Sequence, residues 1–415
     1  MKVTYVKSRQ IFNSRGEPTI ETDVILNNEY FGRASIPSGA SKGTCEALEL
    51  RDNGKEYCGK GVLKAVARVN NEIKSQILNV SFQSQEAIDN FLIRLDGTTN
   101  KSNLGANAIL STSIAFAKAK AKLMNKHLFQ VIYNDNSAFR LPKPMLNIIN
   151  GGAHADNRLG IQEFMIVPIK YDAITQNLKI ACEIFHCLGK ILKKDFYKVN
   201  TGDEGGFAPN IKSTSHALDL IIQATEAAGY MLEKEVCIAL DIAANEMYRG
   251  GKYQLEGEEK KLNNIELINF YENLCDKYPI ISIEDPLSEK DIEGWKMMMN
   301  KLGNKIKIVG DDLFVTNPKK LQQGIDNKLA NSILIKMNQI GTLTETLETI
   351  NLAKKYSFIN IISHRSGETE DTTIAHLAVG VNAHYIKAGS ISRTDRVCKY
   401  NELIRIEEVI TYSIM

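Results

Sequence analysis

The sequence predicts an α/β protein in which a small N-terminal α+β domain precedes a (β/α)₈-type, TIM-like barrel with an irregular ββαα start. Three observations lead to this prediction. The chain has 415 residues, a length that suits two domains better than one ordinary core. Its first part contains strand-like stretches followed by helical ones. From Pro144 onward, short apolar runs alternate with amphipathic helical stretches, as they do in a parallel sheet or barrel.

The composition is that of an ordinary globular protein, with 43% hydrophobic and 24% charged residues. A net charge of +2 gives neither a basic footprint for nucleic acid nor an acidic tail. The seven cysteines form no C-x-x-C pair, which favours reduced thiols over a disulfide or zinc framework. The N-terminus lacks an apolar signal segment, and no apolar run is long enough to span a membrane. We therefore expect a cytoplasmic protein.

The N-terminal domain is predicted to begin with a small antiparallel sheet, whose strands lie around Val3–Val6, Ile20–Leu26 and Tyr30–Ser35. The loop Pro37–Thr44, PSGASKGT, follows. It is either a mobile surface loop or a lid that closes over a small substrate, with Ser41 offering an oxygen atom to a metal. Amphipathic helical stretches then extend to about Asn125.

The predicted division of the chain is an N-terminal domain at 1–133, a linker at 134–144 and a barrel at 145–415. Two successive helical stretches, Ala173–Leu192 and Ser215–Ala228, make the start of the barrel irregular. Eight candidate strands suit a closed barrel better than an open sheet: Met145–Ile149, Phe164–Pro168, Val236–Leu240, Ile280–Ile283, Ile306–Val309, Ser332–Ile335, Phe358–Ile362 and Ala383–Ile386.

Charged residues directly follow the later strands, and such residues project from the carboxyl end of a barrel, where active sites lie. They are Asp241, Glu284, Asp311, Asp312, Lys336, His364, Arg365, Ser366 and Lys387. A single aspartate in such a place is usually a helix cap. Three carboxylates (Asp241, Glu284 and Asp311) from consecutive strands would repel one another, so a cation between them is the simplest explanation. Oxygen-only ligands favour Mg²⁺ or Mn²⁺ over zinc, and Asp312 is expected to orient the ligands.

The cations beside this acidic triad indicate an anionic substrate. Arg365 and Ser366 offer donors suited to phosphate. Lys336 is either a lysine that extends its ammonium out of the sheet or a base whose pKa is lowered by burial, by the metal and by Lys387. A basic lysine that faces a metal-bound anion indicates proton abstraction next to a carboxylate.

An acid is needed on the opposite side of such a substrate. The glycine-flanked loop GDEGGFAP contains Asp203 and Glu204. The loop is either a simple acidic turn or the element that supplies this acid, which would then be Glu204. His154, in the loop GGAHAD that follows a strand, is interpreted as a substrate contact. The segment IQEFM places Gln162 and Glu163 at the entry of the next strand.

These segments resemble the enolase family over essentially the full length of the chain. The resemblance rests on segments that are long and that carry chemistry: NSRGEPT, PSGASKG, KSNLGANAIL, NIINGGAHADN, IQEFM, GDEGGFAPN, SIEDP, GDDLFVTN, ILIKMNQIG, SHRSGETED and SRTDR. It implies a hydro-lyase, phosphopyruvate hydratase, that reversibly dehydrates 2-phospho-D-glycerate to phosphoenolpyruvate in glycolysis and gluconeogenesis.

The resemblance also implies a role for each residue. Lys336 would be the base at carbon 2, and Glu204, assisted by Glu163, would be the acid for the hydroxyl at carbon 3. A structural Mg²⁺ would be held by Asp241, Glu284 and Asp311, and a second, catalytic Mg²⁺ would be bound partly through Ser41. The two ions would stabilise the enolate intermediate. The remaining substrate contacts would be His154, Gln162, His364, Arg365, Ser366 and Lys387, together with Glu163, Glu284 and Asp311.

The chain departs from the family pattern at two positions, Lys42 and Ala388, where the family usually has threonine. Another superfamily activity, such as a sugar-acid dehydratase or racemase, is the first alternative, and the phosphate segment SHRSGETED argues against it. The second is an interaction role besides catalysis, as an RNA degradosome partner or as a plasminogen receptor at the cell surface or after secretion. The family further implies a homodimer, or an octamer built from dimers.

Overall fold

The computed structural model describes residues 1–39, 43–132, 138–211, 213–256, 258 and 260–412. The N-terminal domain opens with three antiparallel strands in the order β1-β2-β3, at β1 Val3–Phe12, β2 Pro18–Leu26 and β3 Tyr30–Ser35. Five helices follow: α1 Leu63–Arg68, α2 Lys74–Ile77, α3 Gln85–Asp96, α4 Ala106–Leu123 and α5 Leu128–Ile132. The π-helical turn Val69–Ile73 joins α1 to α2.

The alanine-rich helix α4 packs directly on this sheet. Small side chains let its backbone approach β3 so closely that a Cβ atom at Gly32 would lie 2.0 Å from the carbonyl oxygen of Ala115. Glycine is therefore required at that position of β3. Most of α4 is buried, so this helix forms the core of the N-terminal domain.

The second part of the chain forms a closed eight-stranded barrel. The barrel strands are β4 Lys143–Asn150, β5 Glu163–Pro168, β6 Val236–Asp241, β10 Ile280–Glu284, β11 Lys307–Gly310, β12 Ser332–Ile335, β13 Ile359–Ser363 and β14 Tyr385–Lys387. Between β6 and β10 the chain forms a separate three-stranded sheet of β7 Tyr248–Arg249, β8 Lys252–Leu255 and β9 Lys260–Leu262. The order around the barrel is β10-β11-β12-β13-β14-β4-β5-β6. The predicted α/β fold with its barrel is confirmed.

Helices surround the barrel at α6 Ile174–Lys194, α7 Thr214–Ala227, α8 Ala244–Met247, α9 Asn264–Lys277, α10 Ile292–Leu302, α11 Pro318–Asp326, α12 Met337–Ile340, α13 Leu343–Lys355, α14 Thr373–Gly380 and α15 Thr394–Tyr412. Strand β5 runs antiparallel to both β4 and β6, and the other barrel pairs are parallel. Two helices, α6 and α7, then precede β6. This is the irregular ββαα start that the sequence predicts.

The barrel interior is filled by apolar side chains below the polar end, among them Met165, Ala239 and Leu334. The predicted linker begins at 134–137, outside the described residues, and β4 begins at Lys143, two residues before the predicted barrel boundary. The domain boundaries at 133 and 145 stay a prediction. No helix in the described part of the chain has the length and apolar character to span a membrane.

Partly buried ion pairs join the N-terminal domain to the barrel. Lys118 on α4 lies 2.7 Å from Asp371, which precedes α14. Lys101 pairs with Glu345 on α13 at 2.9 Å. Because charges inside an interface are stable only when paired, these contacts fix how the two parts of the chain meet.

Candidate active site

The predicted site residues gather at the carboxyl end of the barrel. Asp241, Glu284 and Lys387 are the last residues of β6, β10 and β14, and the strand register pairs Glu284 with Asp241. Glu163 opens β5, and because that strand is antiparallel its first residue reaches the same end of the barrel. The pocket there has about 430 Å³ of empty space, and its lining includes His154, Gln162, Glu163, Glu204, Asp241, Asp311, Lys336, His364, Arg365, Ser366 and Lys387.

Lys387 lies at the bottom of the site and binds three carboxylates. Its Nζ atom is 2.8 Å from Oδ2 of Asp241, 2.9 Å from Oε2 of Glu284 and 3.2 Å from Oε1 of Glu163. Burial alone would lower the pKa of Lys387, but these carboxylates raise it well above its ordinary value. Lys387 is therefore a fixed positive charge that organises the acidic residues.

Lys336 directly follows β12 and forms an ion pair with Asp311. Its backbone N–H donates to Oγ1 of Thr316 at 2.9 Å. Burial lowers the pKa of Lys336, but the charges of Asp311 and Glu284 together raise it above its ordinary value. The lowered pKa that the sequence predicts also depends on a bound metal and stays a prediction, and it left out the contact between Lys336 and Asp311.

The predicted metal ligands carry an excess of buried negative charge. Burial and the neighbouring Asp241 raise the pKa of Glu284 well above its ordinary value. Burial would also raise the pKa of Asp241, but the ammonium of Lys387 lowers it. Carboxylate oxygens crowded in this way suit a hard divalent cation such as Mg²⁺. Asp241, Glu284 and Asp311 supply oxygen donors of the type that the predicted ion prefers, and their role as its ligands stays a prediction.

A more compact acidic group lies beside this triad. Asp285, Asp311 and Asp312 each place an oxygen atom within 4.8 Å of the others, as do the ligand atoms of His154, Glu163 and Glu204. Among the described residues the triad itself is not so compact, because Lys387 binds Asp241 and Glu284 while Lys336 binds Asp311.

Asp285 supports the turn that follows β11. Its two oxygen atoms accept hydrogen bonds from the backbone N–H groups of Asp311 and Asp312, both at 2.9 Å. Burial and the nearby Asp311 raise the pKa of Asp312 to about 7. Asn245 donates to Asp312 at 2.9 Å. These contacts suit the expected role of Asp312 in orienting the metal ligands.

Two carboxyl groups share one buried space on the other side of the pocket. Burial and the charge of Glu204 raise the pKa of Glu163 well above its ordinary value. Burial would raise the pKa of Glu204 too, but His364, His154 and Arg396 together hold it well below its ordinary value. These opposite pKa shifts favour a proton on Glu163 over one on Glu204.

Two buried histidines flank Glu204. His364 Nε2 lies 3.3 Å and His154 Nδ1 lies 3.6 Å from its Oε1 atom. Burial lowers the pKa of both histidines, that of His364 to about 4. The guanidinium of Arg396 can only donate, so Nδ1 of His364 accepts from it and the ring proton lies on Nε2. The protonated nitrogen is thus the one nearer to Glu204.

Gln162 keeps one polar atom available to a ligand. Its side-chain N–H donates to Oδ2 of Asp241 at 3.3 Å. Its Oε1 atom is buried and accepts no hydrogen bond from a described residue. Because a buried acceptor without a donor is costly, this atom suits a substrate contact.

The predicted phosphate donor Arg365 is bound by a carboxylate that the sequence analysis missed. Its guanidinium donates to both oxygen atoms of Glu46, each at 3.1 Å, and to Oδ1 of Asn338 at 2.9 Å. A carboxylate held by two parallel hydrogen bonds presents a geometry that a phosphate also offers. Glu46 therefore occupies the donors that a phosphate would use. Ser366 lies beside Arg365 in the pocket lining.

The proposed metal contact Ser41 and the unusual Lys42 lie outside the described residues. The base of their loop is described, and Ser38 exchanges two backbone hydrogen bonds with Gly367, at 2.8 and 2.9 Å. The loop is thus attached to the segment that carries Arg365 and Ser366.

The sequence analysis did not identify three residues of the site, and the sequence signals of these residues differ. Asp285 follows Glu284 in SIEDP, and its place at a strand end could have revealed it. Arg396 lies within the segment SRTDR, which carries the resemblance but no chemical signal of its own. Glu46 has no signal, because its partner Arg365 is distant in sequence.

The chain matches two family models. Residues 3–132 match the model described as "Enolase, N-terminal domain", and residues 138–414 match "Enolase, C-terminal TIM barrel domain". Together the two matches cover nearly the whole chain.

Proposed function

Because the chain belongs to the enolase family, we propose that it reversibly dehydrates 2-phospho-D-glycerate to phosphoenolpyruvate. One observation carries this proposal. Lys336 follows β12 and Glu163 opens β5, two strands that lie on opposite sides of the eight-stranded ring. A base and a carboxyl pair that line one pocket from opposite sides suit the removal of a proton and a hydroxyl from adjacent carbons.

Asp241, Glu284 and Asp311 would hold Mg²⁺ at the end of the barrel. When bound, Mg²⁺ supplies concentrated positive charge beside the substrate carboxylate, as is known for enolase-superfamily sites that pair it with a lysine base. A second ion bound partly through Ser41 remains part of the proposal.

Lys336 accepts the proton from carbon 2 in this mechanism, and it must be neutral to do so. The charges of Asp311 and Glu284 raise its pKa. Neutralising those charges therefore lowers the pKa of Lys336 towards the range of a base. The nearby cations Arg365 and Lys387 lower it further.

Glu204, assisted by Glu163, delivers a proton to the hydroxyl group that leaves carbon 3. The raised pKa of Glu163 favours a proton on this pair, and that proton would be available for this step. His154 and His364 are neutral and can orient the hydroxyl without competing for the proton.

Arg365 and Ser366 bind the phosphate, for which Glu46 has to release the guanidinium. Gln162 offers its unpaired oxygen atom to the substrate, and Lys387 holds the carboxylates in place. Most of the side chains that line the pocket are buried, so their charges act more strongly than they would in solution.

An assay of phosphoenolpyruvate formation, followed by its ultraviolet absorbance, tests the proposal. We expect formation from 2-phospho-D-glycerate with Mg²⁺ present and its loss when the metal is chelated. No absorbance change at any Mg²⁺ concentration would exclude this activity. Turnover of a sugar acid or racemisation would instead identify another activity of the superfamily.

The homodimer or octamer, the cytoplasmic location and the additional partners stay predictions. Light scattering tests the first. Fractionation of cells, including surface and secreted fractions, tests the second. Capture of degradosome components or of plasminogen tests the third.

A further inference from the structure

The end of α6 carries the most exposed large apolar side chain in the described part of the chain. Phe196 is 98% exposed. It lies in the segment Lys190–Lys198, KILKKDFYK, which we call the α6 turn. An exposed apolar ring is common on protein surfaces when it stands alone. The backbone and the charges around Phe196 make this one unusual.

The backbone holds Phe196 in a strained conformation. Its φ angle is +61°, in the left-handed region, where glycine is the favoured residue after a helix. The N–H of Phe196 donates to the carbonyl of Lys193 at 3.2 Å, and that of Tyr197 to the carbonyl of Leu192 at 2.8 Å. The ring of Tyr197 packs edge-on against His216 of α7. The turn is therefore fixed, and its stability does not depend on the Phe196 ring.

The charges of the α6 turn are almost all positive. It contains four lysines and one aspartate, Asp195, a net charge of +3. The lysines are exposed, and none forms an ion pair with a described residue: Lys190, Lys193, Lys194 and Lys198. Unpaired ammonium groups grouped around one protruding ring are complementary to an anionic surface that has an apolar layer beneath it.

We propose that the α6 turn docks the protein on an anionic lipid surface. The Phe196 ring would enter the boundary between headgroups and acyl chains, and the lysines would contact the headgroups. Nucleic acid is the less suitable polyanion, because single-strand binding uses a groove with several stacking rings. Here one ring protrudes from a convex turn. The α6 turn lies outside the pocket proposed for catalysis. Lipid binding there would place the enzyme at a membrane surface and leave the reaction unchanged.

Co-sedimentation with vesicles tests this inference in the full-length protein. We expect binding to vesicles that contain phosphatidylglycerol, weak binding to pure phosphatidylcholine, and release at high salt because the lysines act through screened charges. Lys193→Ala/Lys194→Ala should weaken binding by roughly 30-fold, at about fivefold for each lysine near an anionic surface. Phe196→Gly should weaken it about tenfold through the lost ring.

Two controls make the result specific. Lys260→Ala/Lys261→Ala removes the same charge from exposed positions on β9 and should keep wild-type vesicle binding. Phe196→Gly should unfold at the same temperature as the wild type or higher, since glycine relieves the strained backbone, and it should keep full catalytic activity.

Three outcomes would overturn the inference. The first is no binding to phosphatidylglycerol vesicles at low salt. The second is wild-type vesicle binding by Phe196→Gly. The third is binding of poly(U) RNA that depends on Phe196 while vesicles are not bound, which would assign the turn to nucleic acid.

Discussion

Lys336 and Glu163 face one buried pocket from strands that are four positions apart around an eight-stranded barrel. Asp311 and Glu284 raise the pKa of Lys336, while burial and Glu204 raise the pKa of Glu163. A base and an acid are thus placed on opposite sides of a substrate site. The raised pKa of Glu163 favours a proton on the acid side, whereas Lys336 has to be neutral before it can act as a base.

The first prediction concerns Glu46, which competes with phosphate for Arg365. Glu46→Gln removes a buried negative charge that lies 3.1 Å from the guanidinium. We expect inorganic phosphate to bind the variant about tenfold more tightly, since a charge-assisted pair is worth roughly 1.5–3 kcal/mol and a neutral amide replaces only part of it. Isothermal titration calorimetry measures this affinity.

Arg365→Lys is the matched variant for that experiment. A lysine keeps the charge but loses the planar fork, so phosphate affinity should fall in the single variant and in the double variant with Glu46→Gln. Weaker phosphate binding by Glu46→Gln alone would show that Glu46 positions Arg365 and does not compete with phosphate.

The second prediction concerns Lys387, the buried cation shared by Asp241, Glu284 and Glu163. Lys387→Met keeps much of the side-chain volume but leaves these carboxylates without their counter-ion. Breaking a buried ion pair costs about 3–5 kcal/mol. We expect the free energy of unfolding in urea to fall by about that amount in chelator.

Added Mg²⁺ should restore more stability to Lys387→Met than it gives to the wild type, because the ion then supplies the missing positive charge. Lys277→Met, at an exposed lysine, is the control and should change stability by less than about 0.5 kcal/mol. If Mg²⁺ stabilised Lys387→Met and the wild type equally, Lys387 would not be energetically coupled to the metal site.

The third prediction concerns acid and the contact between the two domains. Lys118 and hydrogen bonds from Thr373 offset burial and lower the pKa of Asp371 to about 2. A carboxyl group whose pKa is lower in the folded than in the unfolded state stabilises the fold above the unfolded pKa of about 4, and that stability is lost as the pH falls through 2. The contribution is about 2 kcal/mol.

Asp371→Asn isolates this contribution from those of other carboxylates. The difference in unfolding free energy between wild type and variant should be constant from pH 7 to about pH 5 and shrink by about 2 kcal/mol towards pH 2. Guanidinium unfolding at each pH measures it. A difference that stays constant down to pH 2 would mean that Asp371 is not held by its ion pair with Lys118.

Much of the fold is predictable from this sequence because its barrel strands are short apolar runs bounded by polar residues. The same pattern locates Asp241, Glu284 and Lys387, which end their strands. The hairpin strands β7–β9 were not predicted, since segments of two to four residues with many lysines carry no apolar periodicity.

The sequence analysis missed contacts between side chains that are distant from one another in the sequence. The sequence analysis missed the contact of Lys336 with Asp311 from the neighbouring strand, which raises the pKa of the lysine. Glu46 and Arg365 are separated by 319 positions, and no local pattern links them. The lowered pKa of Glu204 likewise depends on the positions of His154, His364 and Arg396.

The most direct test of the proposed mechanism is exchange of the carbon-2 proton of 2-phospho-D-glycerate with deuterated solvent, followed by nuclear magnetic resonance. Glu204→Gln serves as the comparison variant. It should retain exchange while losing dehydration, because it lacks only the acid. Lys336→Ala should be folded and should abolish exchange as well as dehydration. Exchange by folded Lys336→Ala at the rate of Glu204→Gln would contradict the assignment of Lys336 as the base.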